Sequence, residues 1–390
     1  MIANDSKAPP VIIGGCDSNH IHSSCPPTTI GRMEGCFDLN QRPLVVLWEM
    51  TRACDLACAN CPSTAVSERS PLELTTEEGR RLIDEVAAMR PAIFILTGGD
   101  PLKRFDVYHL VEYAASRKLR PALTASSSGL VTRTAVRELK RAGLSRLAVS
   151  LDGSVPEIHD RLRVPGSYAR TMEMIHWANQ ADLPVQISTC VSRRNMRDLD
   201  SLAALLEQFR IVLWSAFFFV PLGPNAYSDL PSPQEFEEAF GRLNRLSRRA
   251  PFRIKTTEAQ HYRRFVLQHR YHHEITLGAD FGPDHGVTGM LPINDGRGTV
   301  FVSHSGDVWP SGFLPVPAGN VRSGSLAAIY RDAPLFRSLR DTALLKGRCG
   351  ECEFREICGG CRARAYALTG DLFAEDPCCA YQPHARARIA

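Results

Sequence analysis

From residue 43 onward, short apolar runs alternate with amphipathic stretches, and this alternation narrows the fold more than any other property of the chain. The apolar runs fall at 44–48, 92–96, 121–125, 146–151, 185–191 and 212–220. Helical periodicity lies between and after them, near 76–89, 105–118, 132–142, 168–181, 197–209 and 233–249. A strand followed by a helix that carries the chain back can only meet the next strand in parallel. Continuous apolar character fits strands covered on both faces. The expectation is an α/β fold whose six units form an incomplete (βα)6 barrel over residues 41–256. Thr75-x-x-Glu78 ahead of the first helix reads as a capping box, each side chain satisfying a free backbone N–H. In such folds ligands collect at the C-terminal ends of the strands.

The flanking segments read differently. Residues 1–40 hold Pro9, Pro10, Gly14, Gly15, Pro26 and Pro27 without periodicity, an irregular extension that also carries Cys16, Cys25 and Cys36. Residues 257–290 are irregular and rich in His and Gly, and 291–390 read as a small cysteine-rich module. A net charge of +4 gives no nucleic-acid platform and no polybasic membrane patch. No apolar run approaches the ~20 residues of a membrane span. Thirteen cysteines with no export signal in 1–15 point to metal or redox ligation in a reducing cytoplasm instead of disulfides.

Cys54, Cys58 and Cys61 follow the first apolar run as C-x3-C-x2-C. Three thiolates on one tight loop can hold three irons of a cubane and leave the fourth open, where four-cysteine ligation would close it. A local zinc site would need a second pair nearby, and no further cysteine comes until Cys190. The spacing and its place after strand one resemble the radical S-adenosylmethionine (SAM) superfamily. That resemblance implies a [4Fe–4S] cluster whose open iron is chelated by the amino and carboxylate groups of SAM.

The same resemblance implies a SAM pocket. Gly98, Gly99, Asp100 and Pro101 end strand two where the family has a Gly-Gly-Glu-Pro segment, with Asp in place of Glu. Glycines there admit close backbone approach. Ser126 ends strand three and Ser150 ends strand four, where family members contact SAM. Arg163 matches the arginine that positions SAM, with Arg161 as the alternative; a guanidinium grips a carboxylate through two parallel hydrogen bonds. An arginine paired with a neighbouring carboxylate is the competing reading. The turn from Val220 to Gly223 would line the adenine. Asn60 departs from the aromatic or His usual before the third cysteine.

In the C-terminal module the spacing is Cys349-x2-Cys352-x5-Cys358-x2-Cys361, then Cys378 and Cys379. Spacing alone leaves zinc and iron–sulfur open. In context it resembles the SPASM extension of radical SAM enzymes. That implies one auxiliary [4Fe–4S] cluster on Cys349, Cys352, Cys358 and Cys379, with Cys378 and Cys361 as competitors for the last position. Ser311 stands where a second auxiliary cluster would need a cysteine, and Cys190, inside an apolar strand, reads as a core thiol.

Within the superfamily, Trp48–Leu56 as a run, Lys255-Thr-Thr-Glu258 and Cys358-Gly-Gly-Cys361-Arg-Ala-Arg-Ala-Tyr366 bring the chain nearest to enzymes of alternative haem and haem-d-type biosynthesis. The implied chemistry is reductive cleavage of SAM and oxidative modification of a small substrate, a tetrapyrrole by resemblance. The implied electron donor is a reduced flavodoxin or ferredoxin type. His261 and His304 are the preferred substrate contacts. A ribosomal-peptide maturase is the alternative enzyme, and a non-enzymatic zinc-binding or metal-trafficking protein the alternative of another class.

Overall fold

The six apolar runs become strands β1 (Val45–Glu49), β2 (Ile93–Thr97), β3 (Pro121–Ala125), β4 (Arg146–Ser150), β5 (Val185–Val191) and β6 (Leu213–Phe218), each within two residues of its expected bounds. The computed structural model describes residues 38–59, 61, 66–222, 227–269 and 291–384; the extension with Cys16, Cys25 and Cys36 lies outside them. Four strands are added to the expected six: β7 (Arg253–Thr257), β8 (Thr299–Val302), β9 (Asp307–Trp309) and β10 (Gly319–Asn320). The sheet order is β10-β9-β8-β1-β2-β3-β4-β5-β6-β7. From β8 to β7 every pairing is parallel, and β9 and β10 are antiparallel.

Consecutive strands lie side by side from β1 to β7, so every crossover winds the same way and the helices cover one face. The helix Thr76–Met89 is typical. Thr75 and Glu78 form the expected capping box, and Leu82, Ile83, Val86 and Met89 face the sheet. Gly79 is required there: a Cβ would come within 2.6 Å of the Trp48 ring. Trp48, fully buried, packs in the main core with Leu96, Leu123, Val149 and Ile187. Each such large apolar side chain contributes roughly 1.5–3 kcal/mol on burial.

Three features depart from the sequence reading. A short helix, Pro156–Leu162, precedes the expected one at Ser167–Gln180. A second helix, His261–Gln268, occupies the start of the stretch expected to be irregular; residues 270–290 lie outside the described ones. β7 escaped the periodicity because it ends the sheet, pairs on one side only and leaves all five residues half-buried, so Arg253, Lys255 and two threonines suffice. The C-terminal segment also does more than append a module. β8 pairs in parallel with β1, Val45 opposite Thr299 and Trp48 opposite Val302, and Val300, Val302, Val308, Tyr330 and Phe336 join the main core.

Register brings the strand ends together. Glu49 pairs with Thr97, Ala125 with Val149 and Ser150 with Ser188. The loops that begin at Met50, Gly98, Ser126 and Leu151 therefore leave one edge of the sheet side by side.

Candidate active site

The cysteine loop leaves β1 and is fixed by the loop after β2. Gly99 N donates to Thr51 O at 2.8 Å and Asp100 N to Ala53 O at 2.7 Å. A Cβ on Gly98 would lie 2.4 Å from Thr51 O, and one on Gly99 2.5 Å from Ala53 O. The glycines thus serve first to seat the β2 loop on the cysteine loop. Asp100 is fully buried; it caps Leu102 N at 3.1 Å and accepts from the Ser128 hydroxyl, while burial pushes its pKa up. Its side chain holds the turn, which leaves the backbone of 98–101 as the part able to face a ligand. Lys103 binds Asp55 at 2.5 Å and Ser67 O at 2.8 Å, clamping the loop's other side.

Cys54 and Cys58 are half-buried and Cys61 is exposed. Cys54 Sγ accepts from Leu56 N at 3.4 Å and lies 3.6 Å from Ser126 Oγ, which hydrogen-bonds Gly99 O at 2.6 Å. Ser126, expected against SAM, therefore braces Cys54 and the glycine loop together. Burial raises the pKa of Cys58, and Arg163 partly offsets this by its charge and a hydrogen bond.

Arg163 follows the short helix Pro156–Leu162 and donates Nε to Asp152 at 2.5 Å. Burial opposes its charge; Asp152 outweighs burial and raises its pKa. Asp152 has no exposure, and its other oxygen accepts from Cys190 N at 2.7 Å. Arg163 is thus paired with a carboxylate and at the same time reaches Cys58 on the cysteine loop. Asp152 carries no signal of its own in the sequence; only its place two residues beyond Ser150 points to it. Ser150 sits half-buried opposite Ser188, its carbonyl accepting from Thr171 at 3.3 Å. Arg161 is exposed. Cys190 is half-buried near Asp152 and Arg163, not sealed in the core, and burial with Asp152 pushes its pKa up to about 12. Val220 is buried with Leu314, Leu339 and Cys361, and Gly223 lies outside the described residues.

A second centre lies in the C-terminal segment. Cys349, Cys352, Cys358 and Cys379 line one cavity with His261, Arg264, Arg348 and Arg355. Cys349 Sγ accepts from Asp376 N and Cys358 Sγ from Gly360 N, each at 3.4 Å. Backbone N–H groups of Phe354 and Tyr381 serve Cys352 and Cys379. Three of these donors stand two residues after their cysteine, as Leu56 does for Cys54. Burial pushes all four thiols up, Cys352 to about 11. A ligand that takes them as thiolates must displace their protons.

Cys378 and Cys361 point elsewhere. Cys378 is buried against Pro231 O, and Cys361 Sγ bonds Glu258 Oε2 at 2.9 Å. Among the described residues, only Glu258, Asp295 and Cys361 bring three ligand atoms within 4.8 Å of one another.

The two candidate histidines are separated. His304 Nδ1 meets Glu49 at 2.8 Å at the end of β1. His261 is fully buried beside Phe236 and Phe240, and burial drives its pKa down to about 3. It backs the second cavity and stays neutral. Among the described residues, no helix is long and apolar enough to cross a membrane.

Comparison with known proteins adds to this geometry. A model of the Radical SAM superfamily matches residues 48–206. An AdoMet-dependent heme synthase of Methanosarcina barkeri is 39% identical over 347 residues, 88% of this chain and 98% of the relative. A PqqA peptide cyclase of Rhodopseudomonas palustris is 30% identical over 353 residues, covering 87% of this chain and 88% of the relative. The crystal structure of Streptococcus suis SuiB superposes with a TM-score of 0.67 at 16% identity, over 87% of this chain and 78% of that one.

Proposed function

The chain belongs to the radical SAM superfamily and is an enzyme that uses SAM and a [4Fe–4S] cluster; on that premise we propose that it decarboxylates or otherwise oxidises a tetrapyrrole side chain. One observation carries the reading: near full-length identity of 39% to a relative named for heme synthesis. When bound, SAM and the cluster supply a 5′-deoxyadenosyl radical that abstracts a substrate hydrogen. Cys54, Cys58 and Cys61 are the proposed ligands. The backbone of Gly98, Gly99 and Pro101, with Ser150 and Arg163, is proposed to hold SAM, and Asp100 and Ser126 to shape the pocket around it. Exposure of Cys61 leaves the loop within reach of a small one-electron donor of the flavodoxin or ferredoxin type.

Removal of CO₂ from a propionate after hydrogen abstraction leaves an alkene and one electron. Cys349, Cys352, Cys358 and Cys379 are proposed to hold the auxiliary [4Fe–4S] cluster that accepts it. Their shared cavity and N–H donors support this, since hydrogen bonds to sulfur tune such potentials. His304, oriented by Glu49, is the proposed substrate contact at the mouth of β1. His261 is withdrawn from that role by its burial.

The test is anaerobic incubation of reconstituted enzyme with SAM, dithionite and a propionate-bearing iron porphyrin, read by mass spectrometry. Loss of CO₂ alongside 5′-deoxyadenosine supports the proposal. An unchanged porphyrin with 5′-deoxyadenosine still formed would reject the substrate class. A peptide substrate, favoured by the 30% identical PqqA peptide cyclase, would then be next.

A further inference from the structure

Glu258, Asp295 and Cys361 come from three separate segments: the end of β7, the turn before β8 and the start of the helix Arg362–Thr369. Their ligand atoms lie within 4.8 Å of one another, and all three residues are buried. We propose that this trio is a further metal site, distinct from both cysteine centres, for a single divalent cation of the zinc class.

Three arguments carry the site. First, the donor set is one sulfur and two carboxylates, a borderline combination that suits Zn²⁺ better than Mg²⁺ or Ca²⁺, which prefer oxygen alone. Three protein donors also match zinc sites that keep one position for water or another small ligand. Bond lengths of roughly 2.0–2.3 Å set ligand atoms about 3.5 Å apart, between the present 2.9 Å of Cys361 and Glu258 and the 4.8 Å that bounds the trio, a side-chain adjustment. Second, Asp295 Oδ1 has no partner although the residue is only 2% exposed. A lone carboxylate oxygen in such a place costs free energy unless something meets it. Its other oxygen is held by Ala363 N at 2.9 Å, which keeps the carboxylate facing the trio.

Third, the surroundings are arranged as an outer shell. Cys361 Sγ accepts from Arg364 N at 3.2 Å as the cap of its helix and donates to Glu258 Oε2 at 2.9 Å; burial and Glu258 hold its pKa well above the usual thiol value, so a cation bound there would displace the proton that now joins the pair. The Arg364 guanidinium, paired with Asp376, also donates to the Glu258 backbone carbonyl at 2.7 Å and so fixes the segment that carries the Glu258 side chain. Glu258 holds a left-handed backbone, φ 54°, rare for a residue with a side chain. Contacts of this kind orient ligands and are themselves worth about 10–100-fold in affinity. None of these atoms lines the cavity of Cys349, Cys352, Cys358 and Cys379.

The experiment uses protein already loaded with its iron–sulfur clusters, dialysed anaerobically against Zn²⁺. Zinc is counted per chain and its neighbours are read by X-ray absorption at the zinc edge, where iron does not contribute. About one zinc with a single sulfur and oxygen neighbours is expected. Asp295→Asn and Cys361→Ala should each weaken zinc retention at least about 10-fold while leaving iron and sulfide content unchanged. Absence of zinc, a shell of three or four sulfurs, or unaltered retention in both variants would overturn the proposal. If a variant fails to fold, the sulfur count in the unaltered chain still decides.

Discussion

Single residues decide whether the loop after β1 can do its work. Cys54→Ala should abolish 5′-deoxyadenosine formation, measured with dithionite and SAM; retained cleavage would remove the loop from the chemistry. Arg163→Lys keeps the charge but loses the planar fork and the aim that Asp152 gives it. The apparent KM for SAM should rise by about 10–100-fold, the equivalent of one charged hydrogen bond of roughly 1.5–3 kcal/mol. For the second centre, Cys379→Ser should lose about four irons per chain, whereas Cys378→Ser, buried against Pro231, should lose none. Equal iron loss in both would reassign the last ligand. The spacings Cys54–Cys61 and Cys349–Cys358 were legible in the sequence because they are local. What separates Cys379 from Cys378 is which side chain lines the cavity, and adjacency in sequence carries no such information. Asp152 and Cys190 were hidden for the same reason: their roles exist only once β4 and β5 are paired.

At the scale of elements, the helix Thr76–Met89 is held at both faces. Gly79→Ala would press on Trp48 and should cost about 1–3 kcal/mol in chemical denaturation. At its start Glu78 also takes two hydrogen bonds from Arg322, at 2.8 and 3.0 Å, from the far end of the chain. The Arg322 hydrogen bonds, then Thr75 N, hold its pKa down to about 2 from 4.5. A lowered carboxylate pKa stabilises the fold above the unfolded value. That contribution should therefore be full above about pH 5 and fade as the pH falls from 4.5 toward 2. An Arg322→Ala variant should show a shallower loss of melting temperature over this window than the unaltered chain. Helices and buried strands were readable because 3.6-residue and continuous apolar patterns are local. β7 was not, since its strand character comes from the neighbour it pairs with, and Pro156–Leu162 was too short to establish a period.

Across the whole molecule, the sequence suggests a barrel plus an appended module, and the structure joins them in one sheet. Loop chemistry marked the cysteine-rich segment as separate; parallel pairing of β8 with β1 depends on contacts between residues some 250 positions apart, as Trp48 with Val302, which no local pattern records. A fragment ending at residue 290 would leave one side of β1 unpaired and uncover Trp48's core neighbours Val300 and Val302. Exposed strand edges of this kind template aggregation. Such a fragment should be insoluble or aggregated by light scattering, where an independently folding barrel would remain monodisperse.

The β1–β8 seam also bears on how this chain could be recombined with its relatives. A crossover point placed between the two cysteine centres, as a linker would invite, cuts through a hydrogen-bonded strand pair. Hybrids would need β1 and β8 drawn from the same parent, so the two ends of the chain must be inherited together even when everything between them is exchanged.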